Sequence, residues 1–216
     1  MIRVHHLNNS RSQRVLWLLE ELELPYEIVA YARDAKTMLA PDTLKAVHPL
    51  GKSPVIQDGA LTLAETGLIV EYLVDCYGQG RLSPERGSGT YWRYAYWLHY
   101  AEGSLMTPLI LKLVLNRLGL LGRPARGFVD AQLKLHFDYL EGELATSPWF
   151  AGPEFSAADI MMSFPLEAGS SRAGVDAVSK PNLHGFLERI HARPAYQRAL
   201  EKGGKYAYAR PSPAAA

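Results

Sequence analysis

The sequence predicts an α+β protein in two parts, a small mixed sheet with helices followed by an all-helical region. Strand and helix patterns alternate over residues 1–77, and only helical patterns follow residue 89. Residues 78–89 contain four glycines and one proline, which predicts a linker between the two parts. The chain has 216 residues, 48% of them apolar and 21% charged, and is therefore long and apolar enough to fold around a core.

The first part has the predicted order βαβαββα. Residues 2–7 are rich in β-forming side chains, and residues 12–24 place valine and leucine on one face at helical spacing. Leu24-Pro25 ends that helix, and Asp58-Gly59 predicts a tight hairpin. The predicted elements are, in order, strand 2–7, helix 12–24, strand 27–31, a weaker helix 39–47, strands 54–57 and 61–64, and helix 66–77.

The second part is predicted to be helical throughout. We expect one domain over residues 1–78, a helical domain over residues 89–204, and a flexible tail over residues 205–216. The predicted helices of the second part cover residues 90–118, 125–145, 156–168, 183–191 and 195–201.

Charge and cysteine content exclude several classes of protein. With 23 basic and 22 acidic side chains, the chain offers no strongly basic surface for nucleic acid or an anionic membrane. The single cysteine, Cys76, cannot form an internal disulfide, and we expect it to be buried. The N-terminus lacks a secretory apolar segment, and the longest apolar stretch, residues 105–115, is too short to span a membrane. We therefore expect a cytoplasmic protein.

Three polar segments lie where predicted strands meet helices, and each has two interpretations. Ser10 either caps the following helix or donates its hydroxyl to an anion at the positive helix end, with Asn9 and Ser12 as competitors. Ser53-Pro54 either opens a strand or forms a cis bond that exposes the Ser53 backbone to an extended ligand. Glu65-Thr66 either caps a helix or holds the ammonium and carboxylate groups of a ligand.

The order and spacing of these segments resemble those of cytosolic glutathione transferases, most of all the serine-type bacterial and fungal members. The resemblance covers residues 2 to 204 and is carried by the segments Asn8-Asn9-Ser10-Arg11-Ser12-Gln13-Arg14, His48-Pro49-Leu50-Gly51-Lys52-Ser53-Pro54-Val55, Leu63-Ala64-Glu65-Thr66 and Phe155-Ser156-Ala157-Ala158-Asp159. It implies a thioredoxin-like N-terminal domain that binds glutathione, an all-α C-terminal domain that shapes the pocket for an electrophile, and a homodimer.

The resemblance also implies roles for single residues. Ser10 would donate a hydrogen bond to the glutathione thiolate, and Pro54 would be the cis-proline beside which the Ser53 backbone pairs with the cysteinyl part. Lys52 would lie near the glycine carboxylate, and Glu65-Thr66 would hold the γ-glutamyl end. Serine at 53 and threonine at 66 depart from the commoner residues of the family, but they keep the backbone and hydroxyl donors.

Two patterns in the helical part need interpretation. Ser156 to Asp159 has the form of a capping box, so we assign Asp159 a folding role and no catalytic one. Tyr100, Met106 and Leu109 are candidates for the electrophile pocket. The alternative is that the aromatic residues of the predicted helix 90–118 belong to the hydrophobic core. Three of them lie at helical spacing: Trp92, Tyr96 and Tyr100.

We expect an enzyme that activates the thiol of glutathione, its co-substrate, for attack on hydrophobic electrophiles in detoxification, by conjugation and also by peroxide reduction. No metal is expected, because the histidines lack short-spaced acidic or thiol partners. The alternative is a non-catalytic glutathione-binding or assembly protein on the same fold. The complete set of site residues favours the enzyme.

Overall fold

The computed structural model describes residues 1–173 and 176–209, except the side chains of residues 171–173. Its strands and helices are β1 (Ile2–Leu7), α1 (Ser12–Glu21), β2 (Tyr26–Tyr31), a 3₁₀ turn (Asp42–Ala46), β3 (Val55–Asp58), β4 (Leu61–Ala64), α2 (Thr66–Tyr77), α3 (Gly89–Tyr100), a π-helical turn (Ala101–Leu105), α4 (Met106–Arg117), a 3₁₀ turn (Gly119–Gly122), α5 (Arg123–Thr146), α6 (Ala157–Ala173), α7 (Pro181–His191) and α8 (Pro194–Gly203).

The strands form a mixed sheet in the order β2-β1-β3-β4. The β1–β2 pair is parallel, and the other two pairs are antiparallel. The predicted α+β class is therefore confirmed. A crossover helix, α1, joins the parallel strands, as a parallel pair requires.

Two predicted helices differ from the structure near prolines. The expected helix 39–47 is only the 3₁₀ turn Asp42–Ala46, because Pro41 is extended with ψ of 153° and Pro49 disfavours helical backbone at His48. The expected helix 90–118 is divided at the π-helical turn Ala101–Leu105. Pro108 lacks the N–H that would bond to the Ser104 carbonyl, and its ring crowds that carbonyl, so the helix widens there.

The described chain forms two compact units, one of Met1–Arg81 together with the residues from His191 onwards, and one of Leu82–Ile190. The expected second domain, residues 89–204, therefore extends too far, because α8 packs on α1 of the first unit. Of the tail expected to be flexible, Tyr206 is buried and Ala207 donates its N–H to Asn9 Oδ1 at 2.7 Å. The rest of that expectation, residues 210–216, lies outside the described residues.

Helix α1 is buried on nearly every side, and its acidic C-terminal end fixes α8. Glu20 accepts hydrogen bonds from Tyr26 Oη at 2.6 Å, from Arg198 Nε at 2.9 Å and from Lys202. Glu21 binds Arg193 through both carboxylate oxygens, at 2.6 and 2.9 Å. These ion pairs, with the edge-on contact of the Trp17 and Tyr196 rings, cover the face of α1 that the sheet does not.

In the helical unit, the buried face of α3 is not the expected one. Trp97 is fully buried and Tyr94 and Tyr100 nearly so, whereas Trp92 is 66% and Tyr96 46% exposed. The expectation that Trp92 and Tyr96 are core is therefore wrong. Trp97 packs on Phe150, which shows that the partners of α3 decide which of its aromatic residues are buried. Cys76, expected to be buried, is also exposed.

Asp159 has the folding role expected of it. Its Oδ2 accepts from Ser156 N at 2.9 Å and from Ser156 Oγ at 3.1 Å, and its Oδ1 accepts from Phe150 N at 2.9 Å. The carboxyl is fully buried, and burial raises its pKa to about 6 despite these hydrogen bonds. Asp159 thus joins the start of α6 to the loop before it.

Asp159 makes stability depend on pH in a defined window. Since the folded pKa of about 6 lies above the unfolded value of about 3.9, the unfolded chain loses this proton first. Its contribution to the free energy of unfolding should fall as pH rises from about 4 to about 6, by up to about 3 kcal/mol relative to Asp159→Asn. Urea unfolding across this range measures the difference. Asp138→Asn is the control, because lysine contacts lower the pKa of Asp138 and move its window below about 4.

Glu20→Gln tests the link between α1 and α8. Removing the charge leaves Arg198 and Lys202 without their carboxylate, so we expect the free energy of unfolding at neutral pH to fall by about 1–3 kcal/mol. Burial raises the pKa of Glu20, but bonds from Lys202, Tyr26 and Arg198 lower it overall, so the effect should vanish as pH falls below about 4. The control Glu27→Gln, in an exposed pair with Arg3, should change stability by about 0.5 kcal/mol or less. Equal losses in both variants would contradict this role.

Candidate active site at the end of the sheet

The register of the sheet brings the three predicted segments to one edge. Val55 at the start of β3 pairs with His5 near the end of β1 and with Ala64 at the end of β4. The residues that follow β1, precede β3 and follow β4 therefore lie at the same end of neighbouring strands. The structure thus brings together the segments that carry Ser10, Ser53-Pro54 and Glu65-Thr66.

Ser10 lies in the turn between β1 and α1 and is 4% exposed. Its Oγ accepts the N–H of Ser12, the first residue of α1, at 3.2 Å, and lies 2.8 Å from Ser12 Oγ and 3.5 Å from Ser53 Oγ. The N-cap of α1 is Arg11, which makes no side-chain cap bond. Ser10 therefore stands at the positive end of α1 without being its N-cap.

Ser12 and Asn9, the two competitors of Ser10, already have other partners. Ser12 Oγ accepts the Leu7 N–H at 3.3 Å and lies 2.8 Å from Nδ1 of the buried His6. Asn9 has a positive φ of 52°, and its Oδ1 accepts the Ala207 N–H. Both side chains thus support the turn around Ser10.

The Ser53–Pro54 peptide bond is cis, as the resemblance implied. Ser53 Oγ donates to the His5 carbonyl at 2.8 Å and accepts the Leu7 N–H at 3.3 Å. The hydroxyl therefore ties the chain before β3 to the end of β1. Lys52, the residue before it, is exposed.

Glu65 has an unusual backbone conformation, with φ of 72° and ψ of 119°. A non-glycine residue with this φ costs about 1–3 kcal/mol, and such residues cluster at functional sites. Glu65 is exposed, and Thr66 is the buried first residue of α2. Glu65 is the N-cap of α2 but makes no side-chain cap bond, so helix capping does not explain this pair.

The three residues expected to line an electrophile pocket are buried in the helical unit. Tyr100, Met106 and Leu109 are all in its core, and Tyr100 Oη lies 2.5 Å from His136 Nδ1. The core interpretation thus holds for Tyr100. Tyr100 is 6%, Met106 3% and Leu109 0% exposed.

Sequence reasoning missed two partners of the turn, the buried His6 and the half-buried Gly203. His6 Nε2 lies 3.1 Å from the Gly203 carbonyl oxygen. Burial lowers the pKa of His6, and the bond to Gly203 partly opposes this. No local signal could have found this contact, because the two residues are 197 positions apart in the chain.

Within residues 1–173 and 176–209, no group of three or more His, Cys, Asp or Glu side chains is arranged to hold a metal ion. Over the same ranges, no helix is both long and apolar enough to cross a membrane.

Comparison with known proteins identifies relatives over nearly the whole chain. Residues 1–75 match the family model of the glutathione S-transferase N-terminal domain, and residues 128–194 match that of the C-terminal domain. Glutathione S-transferase 3 of Schizosaccharomyces pombe is 36% identical, over 94% of this chain and 88% of the relative. Glutathione S-transferase 1 of Saccharomyces cerevisiae is 33% identical, over 94% and 95%. A crystal structure of a glutathione S-transferase from Actinobacillus pleuropneumoniae superimposes with a TM-score of 0.87 at 38% identity, covering 99% of this chain and 98% of that one.

Proposed function

Since the chain belongs to the glutathione S-transferase family and uses glutathione as co-substrate, we propose that Ser10 activates the glutathione thiol at the end of the sheet. The observation that supports this role is the position of its hydroxyl at the N-terminal end of α1, within 3.5 Å of Ser53 Oγ. This is the serine-type assignment. Ser10 acts as a hydrogen-bond donor and not as a nucleophile.

The energetic demand on Ser10 is modest. A free thiol with a pKa near 8.5 is only a few per cent ionised at neutral pH, and the thiolate is the nucleophile. Lowering that pKa by about two units requires about 2.7 kcal/mol of preferential stabilisation of the anion. One charge-assisted hydrogen bond together with a helix N-terminus is of this size.

The remaining predicted residues form the proposed binding surface for the tripeptide. The Ser53 backbone precedes β3 and pairs with the cysteinyl part as an added strand does. Glu65 binds the γ-glutamyl ammonium, and Thr66 at the start of α2 binds its carboxylate. Lys52, which is exposed, is placed near the glycine carboxylate.

We also propose a hydrophobic electrophile as the second substrate, with peroxide reduction as a further reaction of the same thiolate. The protein works as a homodimer in the cytoplasm, as the family resemblance implies. The buried positions of Tyr100, Met106 and Leu109 give no support to a role for them in binding the electrophile. The alternative is a non-catalytic protein that binds glutathione, and the next experiment distinguishes it from the enzyme.

Ser10→Ala removes the proposed donor to the thiolate. We expect turnover to fall about ten- to a thousand-fold with little change in glutathione affinity, because the lost bond acts on the anion. The measurements are turnover with a chromogenic electrophile and the ultraviolet thiolate absorbance of bound glutathione from pH 5 to 9. The control is Ser88→Ala, which removes the N-cap of α3 and should leave turnover unchanged. Glutathione that binds the unaltered protein with its thiol pKa unshifted would favour the non-catalytic protein.

Glu65→Gln tests the binding surface separately from activation. Loss of a charged hydrogen-bond partner should weaken glutathione binding about ten- to a hundred-fold. Turnover at saturating glutathione should change far less. Calorimetric titration measures the affinity, and Glu71→Gln on the same helix is the control. Unchanged affinity in Glu65→Gln would remove Glu65 from the proposed site.

A further inference from the structure

A buried chain of hydrogen bonds leads inward from Ser10 and ends at a main-chain carbonyl. Ser10 Oγ lies 2.8 Å from Ser12 Oγ, and Ser12 Oγ lies 2.8 Å from His6 Nδ1. On the far side of the imidazole ring, His6 Nε2 lies 3.1 Å from the Gly203 oxygen. These three side chains are buried polar groups, so the direction of each bond matters.

The Gly203 carbonyl fixes the tautomer of His6. A carbonyl oxygen only accepts hydrogen bonds, so Nε2 must carry a proton. In neutral His6, Nδ1 is then an acceptor, and the Ser12 hydroxyl donates to it. The other acceptor for Ser12, the Leu7 carbonyl at 3.3 Å, is more distant.

This tautomer in turn orients the Ser10 hydroxyl. Because the Ser12 hydroxyl proton is donated to His6 Nδ1, Ser12 Oγ can otherwise only accept hydrogen bonds. It accepts them from the Leu7 N–H and the Ser10 O–H. While His6 is neutral, the Ser10 proton therefore points inward to Ser12. A thiolate needs this proton to point outward.

Protonation of His6 reverses the two bonds between His6 and Ser10, while Nε2–H still donates to the Gly203 carbonyl. Nδ1–H then donates to Ser12 Oγ, Ser12 donates to Ser10 Oγ, and the Ser10 proton is free for a ligand. Ser10 Oγ still accepts the Ser12 N–H, and Ser12 Oγ still accepts the Leu7 N–H. All of these groups are thus hydrogen-bonded whether His6 is neutral or charged. Donation runs from Ser10 towards His6 in the neutral state and from His6 towards Ser10 in the charged state.

We propose that His6 accepts the proton of the glutathione thiol through Ser10 and Ser12; this proposal rests on the proposed role of Ser10. The S–H bond breaks, its electron pair stays on sulfur, and its proton passes to Ser10 Oγ. The Ser10 proton passes to Ser12 Oγ, and the Ser12 proton to His6 Nδ1. The same transfer that forms the thiolate turns the Ser10 hydroxyl towards it.

The surroundings of His6 suit a proton acceptor that is neutral at rest. Burial lowers the pKa of His6, while the bond to Gly203 opposes this and stabilises the charged ring. A thiolate at the other end of the chain favours the imidazolium by its opposite charge. His6 pairs across the sheet with Ala30, so the strand beside it places no charged side chain at that position.

Gly203 is held where its carbonyl can perform this role. A Cβ atom at this position would lie 2.7 Å from Gln13 Oε1 and 2.8 Å from Leu16 Cδ1, so a side chain there would force these two side chains of α1 to move. The C-terminal helix therefore selects the tautomer of a residue in the first strand. His6 is a positioning residue, since it acts on the thiol only through Ser10 and Ser12.

The test counts protons released on binding. Glutathione is mixed with the protein in weakly buffered solution at neutral pH, while a pH indicator and the ultraviolet thiolate absorbance are followed together. If His6 keeps the proton, thiolate forms with almost no proton released. If the proton goes to solvent, about one is released per thiolate, which would overturn the proposal.

His6→Asn and Ser12→Ala should both change this count. Asparagine offers Ser12 an amide partner but cannot take a proton, and alanine breaks the chain. In each variant we expect about one proton released per thiolate and about tenfold less thiolate at neutral pH. Because the two variants alter different residues, a folding defect in one of them leaves the other to test the proposal. The control is His5→Asn, which replaces an equally buried histidine bonded to Tyr31 and Gln57 and should keep the original count.

The outcomes separate this proposal from the one on which it rests. No thiolate in the unaltered protein would refute the activating role of Ser10. Thiolate with an unchanged proton count in His6→Asn and Ser12→Ala would leave Ser10 in its role and show that His6 is only structural.

Discussion

The packing of α8 against α1 is the contact on which the first unit depends. The sheet and α2 cover only part of α1, and its outer surface would be exposed if α8 were elsewhere. Glu20 and Glu21 bind three cations of the C-terminal segment, and Trp17 packs edge-on against Tyr196. The same contact brings the Gly203 carbonyl to His6. Stability and the geometry around Ser10 therefore share one interface, and a change in α8 acts on both.

The site itself follows from the ends of strands. Val55 pairs with a residue on each of the neighbouring strands, β1 and β4. The segments that follow β1 and β4 and the segment that precedes β3 therefore lie together at one edge of the sheet. Hydroxyl groups then connect the ends, since Ser53 Oγ bonds both the His5 carbonyl and the Leu7 N–H. Glu65 is held in a left-handed conformation next to them. Glu65 is held in this strained conformation because it lies directly between the end of β4 and the start of α2.

The sequence predicted well the strands, the hairpin and the three polar segments at strand ends, and its predictions failed where packing between distant residues decides the structure. Ser53-Pro54 and Glu65-Thr66 could be placed because each lies at a boundary that its own neighbours define. The burial of Trp92, Tyr96 and Cys76 could not, because helical spacing gives several possible buried faces and only the packed neighbours select one. Pro41 shortened one helix through its extended backbone, and Pro108 divided another through its missing N–H, and the extent of both effects depends on the surrounding packing.

By itself, the sequence determined the fold class, the order of elements in the first unit, the family resemblance and the residue types of the site, because these rest on local periodicity, turn residues and spacing. Tertiary structure alone decided that the last helix joins the first unit, and that Ser12 lies between Ser10 and His6. The physical reason is that such contacts join residues far apart in the chain, as Gly203 and His6 are. While His6 is neutral, the direction of the hydrogen bonds from Ser10 to His6 is fixed by the last acceptor, which is a carbonyl nearly at the opposite end of the sequence.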